Sequence, residues 1–299
     1  VLCGALLGSA AAHSASSKAP EAPRSGTFVV NSAADSNVLD NNLTLREALA
    51  VANGSLTGSF SAAEQAQLGG CIFSGGMIIG GCGAGFDDTI NFASAYTITL
   101  LAPLPAISDS APMTLNSCYN AHPCVILEAG GLVAGSAALS ITSDSNAVWG
   151  LQVQNSPGDG FRILGDANLL EYTKAYSSAG SGIHILSGGN NVIDSATIGF
   201  KSSASETCHP NQTGIRLTSG ATGNRIQYSR IACSTGAGIL VNASGGNIIG
   251  PSTSLGYGYV YGWPNNVGIL INNGSFRNEI TSTTVAYSLG NGIEITGAN

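Results

Sequence analysis

The chain has 299 residues, a formal net charge of −7, 43% apolar residues and only 9% charged ones, against roughly 25% charged in a typical soluble domain. A weakly acidic chain has nothing to offset phosphate repulsion, so a general nucleic-acid binder is excluded. No run of eighteen apolar residues occurs, so no transmembrane helix is expected. The 41 glycines follow neither a collagen period nor a heptad, and among β-branched residues they read as many short strands and tight turns.

In chain order, Leu6-Leu7 and the small residues Ala10 to Ala12 read as the tail of a secretory signal ending in an A-x-A site. Residues 1–15 are therefore taken as the remnant of a signal peptide and 16–25 as a linker. The absence of an initiator Met and of a basic segment implies that the chain is cut at its front. Cys3 lies in this leader. Six cysteines remain, Cys71, Cys82, Cys118, Cys124, Cys208 and Cys233, and an even count in an exported chain favours disulfides over metal. Cys71–Cys82 and Cys118–Cys124 are the local pairs. No C-x-x-C and no zinc spacing occurs. Five N-x-S/T sequons, at Asn42, Asn53, Asn211, Asn242 and Asn273, are near chance in a chain this rich in Asn, Ser and Thr.

Thr27 to Val30 reads as a strand. Thr44-Leu-Arg-Glu47 is a capping box for a helix whose apolar face is Leu45, Ala48, Leu49 and Ala52, stopped by Asn53-Gly54. Ser61-Ala-Ala-Glu64 is a second box, for a shorter helix ending at Gly69-Gly70. A helix ahead of a stack of strands would cover the open end of their core.

From residue 137 a repeat sets in. Gly-apolar-x-apolar recurs at Gly160, Gly182, Gly214, Gly238, Gly268 and Gly292, in steps of 22, 32, 24, 30 and 24. An Asn-x-apolar element follows each of the first five, at Asn168, Asn191, Asn224, Asn247 and Asn278, and a third apolar position often comes next, at Ala175, Ile198, Ile231 and Val285. Three very short strands per 22–24 residues predict an all-β, right-handed parallel β-helix, each coil stacked on the next at about 4.8 Å. The recurrent Asn is read as structural: it tolerates left-handed backbone, and its amide can bond the next coil's equivalent. The two long steps hold insertions near 200–212 and 250–266, which leave one side of the solenoid beside the coil that starts at Gly214. Cys208, in the first insertion, could be stapled to Cys233 on the neighbouring coil.

The run TFVVNSAADSNVLDNNLTLREALAVANG, with FDDTINF and YTITLLAPLPAIS after it, resembles the N-terminal domain named after Cys-Ser-Leu-Arg-Glu-Ala-Ile, which is found on exported bacterial β-helix proteins. The resemblance covers about 26–108. It implies a pectate-lyase-like helix on a secreted or cell-surface protein, and implies no particular reaction. Leu39 and Leu43 stand where the family usually has two cysteines, and Thr44 stands for its Ser. Arg46 and Glu47 are the motif's charged pair. Both are read as structural, Glu47 as a cap and Arg46 as an anchor to a carbonyl or carboxylate. FDDTINF is assigned to the cap. The organisation is thus a cap with first coils over 26–136 and β-helix repeats over 137–299, with the chain stopping one strand into a new coil.

Catalysis on such a rod needs side chains stacked outward from adjacent coils. One outward column holds Arg162, His184 and Arg216; a second holds Glu171 and Asp194; a third holds Lys174, Thr197 and Arg230. Glu171 and Asp194, at one strand spacing, are the candidate catalytic pair and the one candidate seat for Ca²⁺; no other cofactor or metal is expected. Arg162, His184, Arg216, Lys174 and Arg230, on two adjoining faces, form a basic stripe suited to an acidic glycan. Tyr257, Tyr259, Tyr261 and Trp263 alternate on the second insertion and could stack on sugar or anchor a protein. No G-x-S-x-G, Walker A or dinucleotide turn occurs. The expectation is a monomeric, exported or cell-surface scaffold for adhesion or glycan binding, partnered by an extracellular glycan or a surface protein. The alternative is a polysaccharide lyase, hydrolase or epimerase acting on an acidic glycan.

Overall fold

The structure is a computed structural model and describes residues 25–117, 125–201, 207–256 and 262–297. The leader and the Cys118–Cys124 pair lie outside the described residues. Among those residues three sheets of ten, eight and seven strands run side by side, and parallel neighbours are strands one coil apart in sequence. This is a parallel β-helix. Its core is a file of aliphatic side chains, one or two from each sheet per coil. Ile183, Ile185, Ile193 and Ile198 of one coil are all fully buried, as are Ile215, Leu217 and Ile231 of the next. Alternation along each strand sends these inward and their neighbours outward. No helix is long and apolar enough to cross a membrane.

The repeat's glycine answers a packing demand. A Cβ at Gly214 would lie 2.4 Å from Gly238 O and 2.4 Å from Ile231 Cγ2, and one at Gly182 would lie 2.8 Å from Ile198 Cγ2. The chain turns so sharply from third strand to first that the third strand's apolar side chain fills the space.

The recurrent Asn forms a buried ladder. Asn146, Asn168, Asn191, Asn224 and Asn247 each pass their backbone N–H to the Oδ1 of the next coil's Asn, ending at Asn278. The left-handed backbone, however, falls one residue earlier, on Ser145, Ala167, Asn190, Gly223, Gly246 and Arg277. The Asn is kept for its amide, not for its φ. A second ladder, not foreseen, runs through Asn211 and Asn265, which accept from the N–H of Ser178 and Ser234. Asn211 is fully buried and so is unusable as a sequon.

The helix Leu45–Ala52 carries its capping box, with Thr44 accepting from Glu47 N and Glu47 accepting from Thr44 N. Burial pushes the Glu47 carboxyl up, against the pull of those hydrogen bonds. The helix is buried on nearly every side, not only on its Leu45/Leu49 face; Gly83 lies against Val51 and Ala84 against Gly54 at its end. Leu43 is fully buried and Leu39 packs on the same core, so apolar packing occupies the two positions. Arg46 grips Asp35 with two nitrogens, 2.8 and 2.9 Å, and donates to the carbonyls of Ala102 and Pro103. The second helix, Ala62–Gln67, ends earlier than Gly69-Gly70, because Leu68–Gly69 pairs antiparallel with Thr27-Phe28. FDDTINF is also corrected: Asp88–Phe92 is a coil strand between Thr27–Val30 and Met113–Asn116.

Cys71–Cys82 and Cys208–Cys233 are both disulfides. The second ties the first insertion, a hairpin of Phe200–Lys201 and Thr207–Cys208, to the next coil. Closing a 25-residue loop restricts the unfolded chain by roughly 3 kcal/mol.

Candidate functional site

Strands Phe161–Ile163, Ser181–Ile185 and Thr213–Leu217 lie side by side in the seven-stranded sheet, in the register Arg162, His184, Arg216. Their flanking apolar residues point into the core, so these three side chains stand on one outward line. They line a groove of about 360 Å³ together with Pro157, Asp159 and Leu186. Glycines make the groove, since a Cβ at Gly158 would strike Gly135 and Ser136, and one at Gly180 would meet Asp159 Oδ1 at 2.7 Å.

Asp159 organises the wall. Its Oδ2 accepts from Arg162 Nε and Nη2 at 3.0 and 2.8 Å and lies 3.0 Å from His184 Nδ1, while Oδ1 accepts from Ser181 N. Burial alone would raise the Asp159 carboxyl. Hydrogen bonds from His184 and Ser181, the His184 charge and Arg162 outweigh it and bring the pKa down to about 2. His184, 7% exposed, is held on its other side by Thr218 Oγ1 at 3.1 Å. Arg162 is thereby matched by a carboxylate, which the sequence reading of a uniformly basic stripe missed. Arg216 is different. Its Nε is buried and finds no hydrogen-bond partner among the described residues, so the groove presents one cation that nothing within it neutralises.

The other candidates are placed elsewhere. Glu171 and Asp194 are register neighbours in the ten-stranded sheet, between Trp149 and Gln227. Asp194 accepts from Gln227 Nε2 at 2.6 Å and Ser195 Oγ at 2.7 Å. Burial, then the Asp194 charge, pushes the Glu171 carboxyl up. Lys174, Thr197 and Arg230 line up in the eight-stranded sheet, so Arg230 stands on a different sheet from Arg162, His184 and Arg216. Burial lowers the Lys174 pKa. Among the described residues no three His, Cys, Asp or Glu side chains gather as a metal-ligand set. Tyr257, Tyr259 and Tyr261 lie outside the described residues. Trp263 packs on Phe200, Ala232 and Cys233, joining the two insertions in a small core of their own. The first insertion also covers Tyr176. Lys201 Nζ lies 5.3 Å from that ring's centre and His209 packs at 5.6 Å, and burial lifts the phenol to about 12. Asp159, Thr218 and Trp149 were not foreseen. The one sequence signal for Asp159 is its place three residues before Arg162.

No family model and no curated protein matches this chain. Among solved structures, the crystal structure of the Dettilon tailspike protein is similar, with a TM-score of 0.51 and 17% identity over 71% of this chain. The match spans 40% of the tailspike chain. At that identity the likeness is one of fold, and it agrees with the parallel β-helix read from the coils.

Proposed function

We propose that the chain is an exported β-helix scaffold whose groove on the seven-stranded sheet binds a carboxylate-bearing glycan without turning it over. The observation that carries this reading is Arg216, which lines the groove and whose buried Nε has no hydrogen-bond partner among the described residues. Arg presents a planar fork that matches a carboxylate, and a cavity of this size is suited to a small saccharide unit. Asp159 balances Arg162 and His184, which fixes the wall and leaves Arg216 as the anion's partner. The Glu171–Asp194 pair stands on another sheet, away from the groove, so it is not placed to act on a ligand bound there. Two disulfides suit an oxidising, extracellular setting. The resemblance of residues 26–108 to the Cys-Ser-Leu-Arg-Glu-Ala-Ile domain, and the division into cap (26–136) and repeats (137–299), accord with export to the cell surface or medium.

The test is a screen of the full chain against acidic and neutral polysaccharides, read for binding and for released product, with Arg216→Ala beside it. Binding of an acidic polysaccharide, weakened about tenfold or more in the variant, with no product released, is the expected result. Product release would overturn the non-catalytic reading. Equal binding by the variant would remove the groove from it.

A further inference from the structure

A second surface lies on the ten-stranded sheet and the corner that follows it. At the end of its strands stand Trp149, Glu171, Asp194 and Gln227, one per coil and in register. At the next corner position stand Gly150, Tyr172, Ser195 and Tyr228. All four have left-handed backbone, with φ of 69, 53, 52 and 51°. Glycine suits that conformation, and bulky side chains are strained in it. Yet two of the four are tyrosines, and they are 52% and 53% exposed. Neither the turn nor the core calls for an aromatic ring there. Trp149, 41% exposed, meets Tyr172 edge to face at 6.3 Å, so these two rings hold each other in place. The three aromatics span four coils, about 14 Å along the axis.

The geometry points to a ledge that binds an uncharged oligosaccharide. Exposed aromatic rings stack on the apolar faces of sugar rings. Beside them Glu171 and Asp194 are acceptors for sugar hydroxyls, and Gln227 Nε2 and Ser195 Oγ already fix the Asp194 carboxylate. The two columns hold two carboxylates and no cation; Lys174 and Arg230 begin the next sheet around the corner. An acidic glycan would be repelled where a neutral one gains hydrogen bonds. This site is independent of the groove around Arg216.

The chain has two tryptophans, so Trp263→Phe leaves Trp149 as the sole tryptophan, read by excitation at the red edge where tyrosine does not absorb. In that background the full chain is titrated with cellotetraose, maltotetraose and mannotetraose, and with a galacturonate oligomer as the charged control. At least one neutral probe is expected to shift Trp149 emission and the galacturonate is not. Tyr172→Gly and Tyr228→Gly suit the left-handed turn and so retain the fold, but each is expected to weaken that binding about tenfold. Arg216→Ala is expected to leave it unchanged. Silence toward all three neutral probes, or undiminished binding by both glycine variants, would overturn the ledge without touching the groove. Loss in Arg216→Ala alone would reassign the neutral ligand to the groove.

Discussion

Asn191 directs both its backbone N–H and its Nδ2 at a single atom, Oδ1 of Asn224, at 2.8 and 3.0 Å. Asn224 in turn does the same to Asn247, at 2.9 and 3.1 Å. The Asn residues from 146 to 247 are buried, so water cannot replace a missing rung among them. Asn224→Ala strands both donors of Asn191, while Asn247 Oδ1 loses the side-chain amide of residue 224 and keeps that residue's backbone N–H. The expected loss is about 2–4 kcal/mol, read as a fall in the denaturation midpoint with an unchanged slope.

The glycine columns separate two costs that are often merged. Gly214→Ala drives a methyl into Gly238 O and Ile231 Cγ2, and backbone cannot move aside, so about 2–4 kcal/mol is expected. Gly274→Ala meets nothing within 4 Å but has a φ of +76°; its cost is conformational alone, about 1 kcal/mol. Thermal denaturation of the two variants side by side gives the comparison, and equal losses would contradict the close-approach account.

Asp159 gives the groove wall a pH dependence. Its pKa falls from 3.8 to about 2 on folding, so the unfolded chain binds the proton more tightly. The resulting stabilisation, about 2 kcal/mol, is complete above pH 3.8 and is lost as pH falls toward 2. Asp159→Asn is expected to be less stable than the parent near neutral pH and to show a shallower acid limb between those values. Stability measured against pH, with both proteins in one buffer series, reads it directly.

The repeat was open to sequence because its restraints are local and periodic: a glycine where coils touch, an Asn where amides stack, and an apolar residue facing in. The register of the outward columns followed from the same period, which is why Arg162, His184 and Arg216, and separately Glu171 and Asp194, fall side by side. What the period cannot express is contact across it. Asp159 sits at the corner before a strand, beside Arg162 of its own coil, and meets His184 only once the next coil is stacked on it. Asn211 and Asn265 are buried by the turns into which insertions open, and there the spacing that would flag a ladder is broken by the insertions themselves. The αL positions were misplaced by one because Asn tolerates that backbone in general, whereas here its side chain needs an ordinary one to reach along the axis. FDDTINF, well ahead of the first repeat glycine at Gly160, carries no glycine marker of its own, and its place in the ten-stranded sheet appears only when Thr27–Val30 lies beside it.

A stacked rod pulled from its ends should unspool one turn after another, since each turn is fastened only to the two beside it. The bond from Cys208 to Cys233 changes what a pulling force can release. The 25 residues between them hold roughly 85 Å of extended chain, and none of that length can be drawn out while the bond is intact. Trp263, lying on Phe200 and Cys233, rests over the same joint. The stretch that carries Arg216 is therefore a sealed segment of the rod, under tension the part that pays out least.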